Sequence, residues 1–323
     1  MDRRTFLALV SGAAAWPRLA ASQAARKLPR IGMAAFPPLS SLAPYTAAFE
    51  KGLREEGLVP GRDVLLDFRS ANLDPTRYGE VVRGLVQSKP EVIVTGINAN
   101  TAAVRAESRI IPIVMVVGMD SVAEGLVKSL SHPGGNVTGL TFDVGSESLA
   151  KRFELFKQAV PSIKRIAVLY DAEQGSRYGN SDEAAAKSIG AEILRRDIGD
   201  DFEHSFSVAR AWRADAVLFY SGARQQARGG ELIAKAIKYR LPSNFPNSDL
   251  VQAGGLMSYG PNIADLYRRA AGYVSRILKG TKPENLPVQQ PIVLELVINL
   301  RTAAALGLTI PQAVMLRADR VIE

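Results

Sequence analysis

The 323-residue sequence contains no cysteine. That absence excludes disulfides, thiolate nucleophiles, Cys-ligated zinc and iron–sulfur clusters together. It also removes the residue that a bacterial lipoprotein acylates, so an exported form is expected to be freely soluble and not lipid-anchored. Histidine is nearly as scarce, with only His132 and His204. His132 sits in the turn-like run Ser131-His132-Pro133-Gly134-Gly135 and His204 in an apparent surface helix, with no second ligand or catalytic partner spaced beside either. Loop and surface roles therefore outweigh catalytic or metal-binding ones. There are two tryptophans, and the apolar run Thr5 to Trp16 is too short to span a bilayer.

What is present fits a globular α/β protein. Hydrophobic residues make up 47% and charged residues 22% of the chain, which argues against disorder or a fibre. The length suits two lobes of ordinary size better than one core. The formal net charge is +8, and residues 1–24 carry three Arg against one Asp, so their removal leaves +6. The remaining Lys and Arg are scattered, without a basic run interleaved with aromatics, so no nucleic-acid partner is expected.

Residues 1–24 read as an address. Arg3-Arg4-Thr5-Phe6-Leu7 resembles the twin-arginine export signal, followed by the weakly hydrophobic Ser11-Gly12-Ala13-Ala14-Ala15. Ser22-Gln23-Ala24 places small residues where a signal peptidase reads, so cleavage is expected after Ala24, with Ala21 as a competing site. An ordinary amphipathic helix fits less well, because the apolar residues are continuous and not spaced at the helical period.

After Pro29, strand and helix signals alternate. Strands are predicted at 30–34, 64–68, 92–95 and 111–117, with one more closing at Thr141, and helices at 44–57, 77–88 and 101–109. Past a hinge-like segment at 143–148 and a helix over 149–160, the alternation begins again. Strands at 163–170, 191–195 and 214–220 are separated by helices at 182–189, 202–212 and 228–239. Continuous β-branched runs between helices predict parallel sheets covered on both faces, and two such series in tandem imply two similar lobes. The tail adds a strand-like 254–261, an amphipathic helix Ile263 to Leu278 stopped by Lys279-Gly280, and a strand from Leu294 to Ile298.

Several blocks carry a family resemblance. Ser131-His132-Pro133-Gly134-Gly135-Asn136-Val137-Thr138-Gly139, Met257-Ser258-Tyr259-Gly260 and the run from Leu296-Val297-Ile298-Asn299-Leu300-Arg301-Thr302 to Pro311 closely resemble the ABC transporter substrate-binding family. Phe49 to Gly57 and Ala318 to Ile322 look like that family's opening helix and closing segment. The blocks occur in order from about Pro29 to the C-terminus. The resemblance implies a type I periplasmic-binding fold: two Rossmann-like doubly wound lobes joined by a three-crossover hinge, with solute bound between them. It assigns residues 29–145 plus 260–284 to the N-terminal lobe and 146–259 plus 285–323 to the C-terminal lobe. It also implies a soluble, monomeric periplasmic protein serving an ABC permease and its ATPase, related to a branch that binds aromatic amino acids.

In open α/β sheets, ligands bind beyond the carboxyl ends of the strands, and the loops there supply the candidates. Phe36 offers an aromatic wall after the first strand. Asn98, Asn100 and Thr101 stand at a helix start whose free N–H groups suit a carboxylate, although plain helix capping would use the same residues. Asp120 follows the fourth strand, where it could receive an ammonium or simply cap a helix. On the second lobe the equivalents are Tyr170, Tyr178, Ser221 and Asp249, with Tyr259 beside a crossover; each Tyr could instead sit on a rim. Together these loops favour an amino acid or small carboxylate, with no cofactor and no metal. Against an enzyme stand the missing dinucleotide turn, phosphate loop and nucleophile elbow: Gly175-Ser176-Arg177-Tyr178-Gly179 has its Ser in the wrong position. Racemases of similar architecture need paired cysteines. A sensory protein that reports its ligand to a membrane receptor remains the other reading.

Overall fold

The computed structural model describes residues 27–172 and 179–323. The export segment 1–24 and Tyr178 therefore lie outside the described residues. Among the described residues no helix is long and apolar enough to cross a membrane.

The first half alternates β1 (Arg30–Ala35), α1 (Ala43–Glu55), β2 (Leu65–Ser70), α2 (Pro75–Gln87), β3 (Val92–Thr95), α3 (Asn98–Glu107), β4 (Ile113–Gly118) and β5 (Val137–Thr141). These strands form one parallel sheet in the order β2-β1-β3-β4-β5. Its two faces take alternate residues. Val92, Val94, Val114 and Val116 enter one apolar cluster, whereas Ile93, Ile113 and Met115 enter another on the opposite face. A strand buried on both sides must be apolar throughout, which is why VIVT and IVMVVG show no alternation. Helix α2 starts where Pro75 follows Asp74, whose carboxylate accepts the Thr76 N–H at 2.9 Å.

The second half runs α4 (Ser146–Ala159), β6 (Arg165–Tyr170), α5 (Gly179–Ser188), β7 (Glu192–Asp197), α6 (Phe202–Ala211), β8 (Ala216–Phe219), α7 (Ala223–Lys238), β9 (Ser243–Phe245), α8 (Ser248–Gln252) and β10 (Met257–Pro261). After α9 (Ile263–Leu278) come β11 (Leu294–Asn299), α10 (Leu300–Ala305), α11 (Gln312–Met315) and β12 (Arg320–Ile322). The second sheet has the order β12-β11-β10-β9-β8-β6-β7, with β10 and β11 antiparallel. Within it β7-β6-β8-β9-β10 repeats the strand order of the first sheet. Ile166, Val168 and Leu218 face one cluster, and Leu169, Val217 and Phe219 the other.

The chain passes between the sheets three times. It leaves the first sheet after Thr141 and enters α4, leaves the second after Pro261 and enters α9, and returns between Gln289 and Leu294. Helix α9 belongs to the first lobe by packing. Leu266, Ala270, Ala271, Val274 and Ile277 are buried in the cluster that also holds Phe49 and Leu53 of α1. Burying that face contributes on the order of 10 kcal/mol. Gly52 permits the close approach, since a Cβ there would lie 2.1 Å from the Arg268 carbonyl oxygen. Two junctions fall a few residues later than the sequence suggested. Gly260 and Pro261 still pair with β11. Leu286 accepts a hydrogen bond from Thr138, and Gln289 bridges to Leu140, so 285–289 side with the first sheet.

Candidate functional site

A cavity of about 200 Å³ lies where the three crossings meet the carboxyl ends of the strands. Phe142 and Val144 come from the first crossing, and Tyr259, Gly260, Pro261 and Leu294 from the ends of β10 and β11 that flank the other two. Met119, just past β4, faces it from the first lobe. From the second lobe come Ser148, Leu149 and Arg152 of α4, Ser181 of α5, and Tyr220, Ser221 and Pro246 beyond β8 and β9. The wall is thus mostly apolar and aromatic, with serine hydroxyls, the phenols of Tyr220 and Tyr259 and one guanidinium. Gly260 is required at its position: a Cβ would stand 1.9 Å from the Pro246 carbonyl oxygen across the end of β9.

Arg152 is buried, and its place is set by the helix that carries it. Leu149, Phe153 and Phe156 form the buried stripe of α4, and Arg152 lies on the same face. Its Nε donates to Asn244 Oδ1 at 2.7 Å, and Nη2 donates to the carbonyls of Phe219 at 2.8 Å and Asn244 at 3.0 Å. The guanidinium therefore ties together the ends of neighbouring strands β8 and β9, with Cζ 5.9 Å from the Tyr220 ring centroid. The Tyr220 hydroxyl donates to Asp182, which also accepts from Arg195 Nε at 2.9 Å. Burial pushes the Asp182 carboxyl upward, while the Tyr220 bond and the two nearby guanidiniums, Arg195 and Arg152, pull it down.

Of the residues selected from sequence, Ser221 and Tyr259 line this cavity. Asn98 stands one step behind it: its amide group donates to the Met119 carbonyl and accepts the Met119 N–H at 2.9 Å, fixing the residue that does line the wall. Asn100 donates to the Tyr78 hydroxyl at 2.5 Å, and the Thr101 hydroxyl lies 2.7 Å from that of Thr95. Both are buried members of the first turn of α3, which begins at Asn98, three residues earlier than predicted. Phe36 meets Tyr78 edge to face at 6.0 Å. The Asp120 backbone N–H donates to Asp143 at 2.7 Å. Tyr170 lies under the Arg195 guanidinium at 4.9 Å and borders a separate surface hollow with Asp197 and His204.

Asp249, at the start of α8, joins the lobes. It accepts a hydrogen bond from the Tyr45 hydroxyl of α1, and Tyr45 stacks on Tyr267 of α9 at 5.3 Å. Burial, followed by the Asp249 charge and hydrogen bond, pushes the Tyr45 phenol well above its ordinary range, so it stays a donor. Burial also pushes Asp249 up, opposed by the Tyr45 hydrogen bond. Beside this contact Glu295 of β11 accepts from Ser248 at 2.5 Å and Asn262 at 2.9 Å. Sequence reasoning missed Arg152, Phe142, Leu149 and Leu294. For Arg152 a signal existed, since a charge on the apolar stripe of an amphipathic helix must be buried or bent away from its neighbours.

Two similar doubly wound lobes, three crossings and a cavity among them define the type I periplasmic-binding fold. Residues 31–322 match the family described as "ABC transporter substrate binding protein", and the chain belongs to that family. It is 26% identical over 286 residues, 88% of this chain and 82% of the relative, to a "Tyrosine-binding protein" of Clostridioides difficile (strain R20291). It is also similar to a Streptococcus pneumonia ABC domain solved in complex with L-Trp, with TM-score 0.80 and 25% identity over 91% of this chain and 100% of that one. A solute binding protein of an ABC transporter from Rhodopseudomonas palustris BisB5, at 16% identity and TM-score 0.53 over 80% of this chain and 83% of that one, shares the fold.

Proposed function

We propose that this chain is the exported solute-capturing component of an ABC uptake system, and that it holds an amino acid or small carboxylate between its lobes without transforming it. The observation that carries this reading is the cavity at the three crossings, walled from both lobes and from the hinge itself. At about 200 Å³ it lies below the roughly 300–1,000 Å³ of drug-sized ligand sites, which suits a small solute. The aromatic amino acids named for two relatives fit the ring-rich wall of Phe142, Tyr220 and Tyr259. The rigid units are residues 29–145 with α9, and the second sheet with its helices. They close around the solute, and the closed form is what the permease and its ATPase receive. In this reading the protein works as a soluble periplasmic monomer after loss of residues 1–24. Because a ligand that binds only the folded form raises its melting temperature, a thermal-shift screen tests the reading. Amino acids and aromatic carboxylates are expected to raise the midpoint, and sugars and nucleosides to leave it in place. Chemical turnover of any hit would sink the binding-protein reading.

A further inference from the structure

We infer that Met119 sets the size of the side chain that this cavity accepts, and that Asn98 is the positioning residue that holds Met119 at its distance. The inference deepens the solute-capture reading above and rests on it. Among the described residues lining the cavity, Met119 is the one that the first lobe contributes outside the crossings; the others come from the first crossing, from the second lobe or from the ends of β10 and β11. Contact between the solute and the body of the first lobe therefore runs through this side chain. The room left in front of it fixes how large a solute the closed form admits.

The backbone that carries Met119 is fixed from two directions, by α3 and by the first crossing. From α3, the Asn98 side-chain amide donates to the Met119 carbonyl and accepts the Met119 N–H at 2.9 Å. From the crossing, the Phe142 N–H donates to the carbonyl of Gly118, the residue before Met119, at 2.6 Å. Asp143 accepts the N–H of Asp120, the residue after it, at 2.7 Å. Asp120 has φ +46°. A left-handed conformation at a residue with a Cβ persists where the surroundings over-determine it, and such strain gathers at ligand clamps. Gly118 completes the arrangement, since a Cβ there would stand 2.6 Å from Ser121 Oγ and 2.9 Å from Met115 Sδ. On a loose loop a methionine is an adaptable wall, because its unbranched thioether refits to whatever it meets. On a braced backbone its reach is limited by its own length. The second lobe presents the hydroxyls of Ser148 and Ser181 and the Arg152 guanidinium, so an amino acid places its polar end there and its side chain towards Met119.

The test is isothermal titration calorimetry on the full chain with L-phenylalanine, L-tyrosine and L-tryptophan, with myo-inositol as control. Indole exceeds phenyl by as many ring atoms as Met119→Ala removes. One buried methylene changes affinity roughly fourfold, so the tryptophan-to-phenylalanine affinity ratio is expected to rise at least tenfold in Met119→Ala. In Met119→Phe, which fills the space instead, the ratio is expected to fall by about as much. Where L-tyrosine binds and L-phenylalanine does not, L-tyrosine takes its place in the ratio. In an Asn98→Ala background, Met119→Ala is expected to move the ratio about threefold or less, because the wall is no longer held. A merely structural role for Asn98 would weaken all three amino acids alike and leave the Met119 effect whole. Asn98→Asp keeps the acceptor for the Met119 N–H and drops the donor, and it carries this arm if Asn98→Ala does not fold. A ratio within twofold of the unaltered value in both Met119 variants overturns the size selection and leaves solute capture standing. The full shift in the Asn98 background overturns the role of Asn98. No binding of any of the three amino acids to the unaltered protein overturns the amino-acid reading itself, and the inference with it, and binding of myo-inositol in their place marks a polyol site.

Discussion

The hydrogen bond from Tyr45 to Asp249 spans the two lobes, and its removal by Tyr45→Phe isolates the contribution of closure from that of solute contact. Neither residue lines the cavity, so the substitution leaves the wall intact. Phe keeps the ring stacked on Tyr267 and deletes only the hydroxyl. A hydrogen bond to an ionised group contributes about 1.5–3 kcal/mol, and the partial exposure of both side chains argues for the lower end. When the lobes part, water replaces the lost partner at Asp249, so the whole cost falls on the closed form. About 1.5 kcal/mol corresponds to roughly a tenfold shift from closed to open, and solute affinity is expected to weaken by about that factor. The assay pairs calorimetry with small-angle scattering. The variant is expected to bind tenfold more weakly while its saturated form reaches the same radius of gyration as the unaltered protein. Affinity unchanged within twofold would refute the claim that this contact is broken on opening.

Further consequences can be measured separately. Gly260→Ala places a Cβ against the Pro246 carbonyl and is expected to lower the melting midpoint by several degrees or more and to weaken solute binding, both read in one thermal-shift titration. Phe153→Ala empties a fully buried position in the second lobe and is expected to cost about 3–5 kcal/mol in urea unfolding. Asp67 is held down to about 2, first by its hydrogen bond to Arg69 and then by Arg30 and Ser88, with burial opposing. A carboxyl depressed in the folded state stabilises above its unfolded value of about 4, and that contribution is lost as pH falls towards 2. Urea midpoints between pH 5 and 2 are therefore expected to fall less steeply in Asp67→Asn than in the unaltered chain.

The doubly wound architecture was legible because parallel strands buried on both faces leave continuous apolar runs such as Val92 to Thr95, which helical spacing cannot imitate. Strand β9 was not legible: Ser243 and Asn244 are polar and flanked by Pro242 and Pro246, yet both are buried. The reason lies elsewhere in the chain. Asn244 supplies acceptors to Arg152, 92 residues away, so each residue looks solvated until the other is placed. Helix α7 was expected from residue 228 but begins at Ala223, with non-helical angles at Arg228. A similar early start at α3 turned Asn98, Asn100 and Thr101 from loop residues into first-turn residues whose side chains serve the fold. The placing of Ser221 and Tyr259 at the cavity wall was legible because strand ends and crossings can be located from pattern. The lining residues on α4 were not, since a helix face is read as core before it is read as wall.

The central claim is that the two lobes trap a small solute in the cavity between them. Small-angle scattering of the full chain, titrated with whichever acid the thermal-shift screen identifies, tests it most directly. The radius of gyration is expected to fall as the solute is added and to saturate at one equivalent. A radius that stays constant through saturating, calorimetrically confirmed binding would contradict it.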